Sequence, residues 1–431
     1  MSGEARLVPR ATPRLAVHVA VGGGALVAAV AIGRPELAAV AVPFLVAAVL
    51  GLAAGRPPVL AATVTADRER AVEGDEVGLA VEVVAPAGVP WLEVTVSVPA
   101  ALEVVGGARR VVAVPAGRPV RLDLTLRCRR WGVVRPGRLA LRAFGAGGML
   151  VAEGEAVVDG VLRVHPAAAR LRSLIRPATM QVFTGSHVAL ERGDGIEFAD
   201  LRPFAPGDHF RAVNWRASAR RGELWVTQRR PERNTDVVLF LDTFEEVGGG
   251  ASGPGTLDQV VAAAWSLATR HLAAHDRVGL VGFGGVVSWL QPGNGLVHLH
   301  RIADALLDTQ VVFSYADKAI DVVPVRGLPP HALVVALTPL LDPRAVRALA
   351  DLRARAVDLV VIECPPEPHV PEAGDPIAAV AQRFWRMERE ALRDRFRRQG
   401  VVVVPWSPGL TLEEVVAAVL AWRRTPVWAA R

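Results

Sequence analysis

Residues 15–32 contain no charged side chain, and after the short interruption Gly33-Arg34-Pro35-Glu36, residues 37–54 contain none either. No other pair of segments restricts the fold so strongly. A helix of this length reaches close to the ~30 Å hydrocarbon core of a bilayer at about 1.5 Å per residue. A cleaved leader accounts for the first run but not for the second, which follows almost at once. Two helices buried in a soluble core are the competing reading. The spacing favours a hairpin of two membrane helices, in which the glycines at 22–24 and the many alanines allow close approach. Arg6, Arg10 and Arg14 precede the hairpin, and Arg56, Arg68 and Arg70 follow it. The connecting loop has one Arg and one Glu. The positive-inside rule then places both ends in the cytoplasm, so the expected location is the inner (plasma) membrane with soluble domains facing the cytoplasm. Membrane lipids are thus a partner through the hairpin. Cys128 and Cys364 stand alone without a CxxC, which fits a reducing compartment and no metal knuckle.

Beyond the hairpin the pattern changes twice. Apolar residues are 51% of the chain and aromatics only 5%, so small aliphatics must fill the core. Over 57–166, apolar residues alternate at Leu79, Val81 and Val83, at Leu92, Val94, Val96 and Val98, and at Leu122, Leu124, Leu126 and Cys128. Turn signals such as Glu73-Gly74-Asp75 and Arg135-Pro136-Gly137 separate these runs. Period-two strands with regular turns predict a β-sandwich of immunoglobulin-like type. Over 234–431, short apolar runs at 237–241, 277–283, 286–290, 332–337, 359–362 and 401–404 alternate with helical spacing at 257–271, 296–307, 343–355, 377–399 and 411–422. That alternation predicts a doubly wound α/β sheet with its ligand crevice at the carboxyl ends of the strands. The chain is therefore multidomain: 1–56 as N-terminal segment and transmembrane helical hairpin, 57–166 as β-sandwich, 167–233 as linker, and 234–431 as α/β domain. The linker is expected to begin with a helical piece at 168–175 and to end in a strand at 224–227.

Within the linker, 195–220 is dense in chemistry. Arg202, Arg211, Arg216 and Arg220 are planar forks suited to carboxylates. Glu197, Asp200 and Asp208 are candidate partners, Gly207-Asp208 marks a turn, and Phe198, Phe204, Phe210 and Trp215 are apolar anchors. Two readings remain open. The strip is an internal clamp with its ion pairs satisfied between domains, or a docking surface for a protein, where Arg and aromatics are favoured. In the mixed case Arg202, Asp208 and Trp215 are structural and Arg216 is exposed. Nucleic acid is not an expected partner, because nine Arg between positions 191 and 233 face seven acids and form no basic stripe. The net charge of +6 comes almost wholly from arginine, with Lys318 as the single lysine, which reads as compositional bias.

No catalytic constellation emerges. There is no G-x-x-x-x-G-K-[ST] and no G-x-S-x-G. His271 and His275 have zinc-pair spacing but lack the intervening Glu and third ligand, and His298 and His300 read as surface or packing residues. Residues 383–398 form a basic helix with seven Arg and three acids; its apolar residues Phe384, Met387, Ala391, Leu392 and Phe396 are expected to pack on the sheet. Its arginines could also meet anionic lipid.

The order G-x-E-F-x-x-L-R-x-F-x-x-G-D-x-x-R-x-x-N-W-x-x-x-A-R, which starts at Gly195, resembles the signature of a bacterial family known as domain of unknown function 58. Arg129-Arg130-Trp131-Gly132 resembles the R-R-x-G turn of that family's β-domain, while Arg142-Ala143-Phe144-Gly145-Ala146 departs from its D-P-F-G-L segment. The resemblance implies that 234–431 is a von Willebrand factor A-like domain. Such domains hold a divalent cation through D-x-S-x-S after the first strand, a later Thr, and an Asp after the fourth strand. Here Asp242 matches, Phe244 and Glu246 stand at the serines, and Asp342 lies beyond Thr338-Pro339 where S-D belongs. Phenylalanine cannot ligate, so the site Asp242, Glu246, Asp342 reads as degenerate, and no cofactor is expected, Mg²⁺ included. The resemblance further implies a MoxR-type AAA+ ATPase as partner. The expectation is a non-enzymatic, membrane-tethered adaptor or scaffold assisting that ATPase in protein assembly or maturation. The alternative is a metal-dependent ligand-binding module of von Willebrand factor A type.

Overall fold

The computed structural model describes residues 3–5, 7–53, 60–157, 160–177, 198–205, 210, 213–229, 235–249, 253–311, 328–370 and 374–424. The chain divides into two compact units: Met1–Ala168 with Val247–Trp265 and Ala303–Gln310, and Ala169–Glu246 with Ser266–Ile302 and Val311–Arg431.

The first unit opens with two short strands, β1 (Gly3–Ala5) and β2 (Val8–Ala11), before the helices α1 (Pro13–Ile32) and α2 (Glu36–Ala53). Pro13 sits at the start of α1, where its missing N–H costs nothing, and Gly33 closes the helix at φ 71°. Both helices are long and apolar enough to cross a membrane, and little of either is buried. Of the three glycines in α1, Gly22 is the one the neighbour needs: a Cβ there would lie 2.7 Å from Leu45 Cγ. Around Gly23 and Gly24 there is open space.

The strands that follow are β3 (Leu60–Ala66), β4 (Arg70–Val72), β5 (Glu76–Val84), β6 (Val89–Ser97), β7 (Leu102–Val105), β8 (Arg109–Val114), β9 (Val120–Cys128), β10 (Gly132–Val134), β11 (Arg138–Phe144), β12 (Leu150–Val157) and β13 (Leu162–His165). They form two five-stranded antiparallel sheets, ordered β1-β3-β5-β9-β7 and β2-β12-β11-β6-β8, and a small third sheet β10-β13-β4. Leu79, Val81, Leu124 and Leu126 from one sheet and Leu92, Val94, Leu139 and Leu141 from the other belong to one buried cluster. The alternation thus resolves into two sheets packed face to face. The N-terminal residues, grouped with the hairpin rather than with the β-sandwich, add a strand to each sheet. β1 pairs with β3, and β2 pairs with β12 in the register Ala11↔Leu150. Thr12 fixes the corner by donating its hydroxyl to the carbonyl of Gly148 at 2.7 Å.

The second unit starts with residues 169–177, which adopt no regular structure, so the helix expected at 168–175 is absent. Its backbone N–H groups are drawn outward instead. Ala169 donates to Ser266 Oγ, and Arg172 and Ser173 donate to the carboxylate of Glu413. Then come β14 (Phe198–Pro203), α3 (Trp215–Arg221), β15 (Trp225–Arg229), β16 (Asp236–Thr243), α4 (Thr256–Ala273), β17 (Arg277–Gly284), β18 (Ser288–Gly293), α5 (Gly295–Leu307), β19 (Leu333–Thr338), α6 (Pro343–Ala354), β20 (Asp358–Glu363), α7 (Pro376–Arg398), β21 (Val402–Pro405) and α8 (Leu412–Arg423). α4 and α5 each contain residues assigned to both units. Six strands make a sheet in the order β18-β17-β16-β19-β20-β21, parallel except for the antiparallel edge strand β18. β16, β19 and β20 are buried almost throughout, as their unbroken apolar runs require. The chain moves from β16 outward to β17 and then returns to the other side of β16. That reversal creates a crevice at the carboxyl ends of β16 and β19.

Candidate functional site

The signature strip begins on β14, which pairs with β15 so that Arg202 faces Val226 and Pro203 faces Trp225. α3 follows, and its attachment is local. Asn214 caps it by accepting from the Ala217 N–H at 3.0 Å, and Gly222 ends it in the left-handed region at φ 72°. Ser218 is buried at the inner face; its hydroxyl donates to the Asn214 carbonyl at 2.8 Å and accepts from the Trp225 N–H at 2.8 Å. Val213 and Val226, both buried, form a bridge beside it. With that face occupied, Trp215 points away and is 65% exposed. Arg216, Arg220 and Arg221 are exposed as well, and Arg221 also lies over the Trp225 ring at 4.0 Å. Phe210 is exposed with its ring 5.4 Å from that of Phe204. The expectation that Trp215 is structural is therefore corrected, while Arg216 is exposed as expected. Arg202 is half-buried and donates to the Pro203 carbonyl at 3.2 Å. Glu197, Gly207, Asp208 and Arg211 lie outside the described residues.

At the crevice, Asp242, one residue before the end of β16, is almost fully buried. Oδ2 accepts the Thr338 hydroxyl at 2.6 Å, and Oδ1 accepts the Phe244 N–H at 3.1 Å. Burial pushes the Asp242 carboxyl up to about 7, against the lowering effect of those two hydrogen bonds. Thr338 accepts the Leu340 N–H in turn at 2.8 Å. Phe244, at the position of a ligating serine, is buried edge-on against Phe283 at 5.2 Å. Asp342 caps α6, accepting the Arg344 N–H at 2.7 Å, and its carboxylate is held at both oxygens by the Arg344 guanidinium. Burial would raise the Asp342 carboxyl, but the Arg344 contacts outweigh it and hold it below the ordinary range. The same guanidinium lies 4.2 Å from the centre of the Phe244 ring. Glu246 is half-buried in the segment after β16. Asp242 and Asp342 are thus committed to different partners, and no group of three His, Cys, Asp or Glu suited to a metal occurs among the described residues. The crevice contains a fixed side-chain cation, Arg344, set between Asp342 and the aromatic ring.

One element of the crevice was not legible from the motif. Glu363, at the end of β20 and fully buried, receives Arg389 and Arg393 of α7. Both arginines also reach Glu367, and Arg389 donates to the carbonyl of Pro339 at 2.8 Å. Two acids and two bases close the network. The only sequence signal was a lone Glu after an apolar run and two Arg four residues apart. α7 itself corrects an expectation. Phe396 is buried and Leu392 partly so, but Phe384, Met387 and Ala391 are exposed. His271 and His298 are held by internal hydrogen bonds. His271 Nδ1 is 2.8 Å from Asp276 Oδ2, His275 forms a turn at φ 63°, and His298 Nε2 is 2.6 Å from the Val278 carbonyl.

Residues 200–402 match the family model described as "Protein of unknown function DUF58". The uncharacterized protein Rv1480 of Mycobacterium tuberculosis is 26% identical over 245 residues, covering 54% of this chain and 77% of that protein. The uncharacterized protein YeaD of Bacillus subtilis is 26% identical over 87 residues, covering 20% of this chain and 22% of that protein. Among solved structures, an Escherichia coli alpha-2-macroglobulin matches 26% of this chain and 24% of its own at 16% identity and a TM-score of 0.20. A CARDB domain from Pyrococcus furiosus matches 24% of this chain and 90% of its own at 14% identity and a TM-score of 0.16.

Proposed function

We propose, for a chain whose residues 200–402 belong to the family of proteins of unknown function DUF58, a non-enzymatic adaptor tethered to the plasma membrane. Its α/β unit is read as von Willebrand factor A-like and its partner as a MoxR-type AAA+ ATPase acting in protein assembly or maturation. The observation that carries this reading is the exposure of Trp215, Arg216 and Arg220 on a helix fixed from behind by Asn214, Ser218 and Val213. A rigid frame that presents an aromatic side chain and several guanidinia has the composition of an interface centre. An internal clamp would bury those groups.

The test is a crosslinking pull-down from native membranes with mass-spectrometric identification of an AAA+ ATPase. Trp215→Ala and Arg216→Ala should each abolish its capture and leave the stability of the full chain within about 0.5 kcal/mol, because neither side chain is buried. Wild-type capture by both variants would sink the docking reading. The metal-dependent alternative needs oxygen ligands that this crevice spends on Thr338, Phe244 and Arg344. Calorimetry with Mg²⁺ or Mn²⁺ should accordingly give no micromolar isotherm; a one-site isotherm lost in Asp242→Ala would favour the alternative.

A further inference from the structure

α7 carries apolar side chains on two faces. Its inner face carries Arg389 and Phe396, both buried, while apolar side chains line the outside. Ile377, Val380, Phe384 and Met387 are 83%, 51%, 64% and 62% exposed, and Ala391 is exposed too. Their spacing is three, four, three, four, which is the a/d pattern of two heptads. At roughly 100° per residue, these five positions lie about 120–200° round the helix from Arg389. The stripe is about 21 Å long at 1.5 Å per residue. A seam this narrow and regular suits another helix laid alongside it.

We propose that the occupant is α7 of a second copy of this chain, packed antiparallel about a two-fold axis. The flanking charges select this arrangement. Arg383 and Glu390 both lie on one edge of the seam, one heptad apart. When Phe384 meets Met387 of the second copy, Arg383 comes beside Glu390 of the second copy, and the axis repeats the pair. Sliding to bring Val380 onto Phe384 would instead set Arg383 against itself. A parallel pair would place Asp394, the next seam position, against its own copy. A lipid surface fits less well, because Glu388 and Glu390 border the stripe and would face anionic headgroups. The interface uses the face of α7 away from the Glu363 network, and α7 is far from α3 in sequence.

The experiment is sedimentation equilibrium of the full-length chain in density-matched detergent. The wild type should be a dimer. Phe384→Glu should weaken dimerisation roughly tenfold or more while its melting temperature matches wild type, since the side chain it replaces is exposed. Arg383→Glu and Glu390→Arg should each weaken the dimer, and the double variant should restore it. This restoration reads the antiparallel register and does not depend on how Phe384→Glu folds. A monomeric wild type overturns the proposal, as does a dimer untouched by Phe384→Glu, or a double variant no better than the singles.

Discussion

Asp242 lies near the end of β16 and Asp342 caps α6, yet their surroundings drive them in opposite directions. Asp242 has hydroxyl and amide donors but no cation in its hydrogen-bonding contacts, and burial lifts it to about 7 from 3.8. Its folded form therefore binds a proton more tightly than the unfolded chain does. Stability from this group falls as pH rises from 3.8 toward about 7 and stays reduced above that. The full difference is on the order of 4 kcal/mol. Asp242→Asn should flatten this slope and raise the melting temperature at pH 8, measured by thermal unfolding across pH. A variant that melts lower than wild type at pH 8 would contradict the argument. Asp342 behaves in the opposite way: its carboxyl is lowered, so its contribution is present above 3.8 and is lost as pH falls through the folded value. Asp342→Ala should cost about 1 kcal/mol as a lost helix cap, with a further loss from an Arg344 left without its carboxylate.

At the scale of elements, α7 is held by charge as well as by the burial of Phe396. Arg389 neutralises a fully buried Glu363 and satisfies the carbonyls of Pro339 and Leu340. Arg389→Ala should cost about 3–5 kcal/mol, seen as a large drop in melting temperature, because it leaves buried acceptors behind. Arg393→Ala should cost less, since Arg389 still reaches Glu363. The sheet strands were legible because a strand buried on both faces must be apolar throughout, and β16, β19 and β20 are. The strand-end position of Asp242 followed from the same runs. α7 was read correctly only at Phe396 and Leu392, because helical periodicity identifies an apolar face without saying what lies beneath it. Arginines that bury against a strand-end Glu look like any solvated row. Residues 168–175 failed for a related reason: their helical spacing yields to side-chain acceptors on α4 and α8, far along the chain. Arg344 was hidden because its importance lies in the distance to Phe244, which no local pattern encodes.

At the scale of the molecule, the helix pair interrupts a β-structure that has already begun. β2 precedes α1, β3 follows α2, and each belongs to a five-stranded sheet of the same unit. If α1 and α2 cross a bilayer, both flanks must lie on one side of it. We propose the cytoplasmic side on the arginine bias, and an impermeant thiol reagent on intact cells should fail to label a cysteine placed at exposed Trp91. Labelling there would reverse the orientation. The same threading also has a consequence in time. When β2 leaves the ribosome, its partner β12 has not been made, and the hairpin is synthesised before any of the strands β3 to β12. β2 must wait, unpaired, while the helices and the rest of the β-region emerge. The β2 edge closes only when β12 arrives, so if α1 and α2 do enter a bilayer, they can do so before the fold is complete.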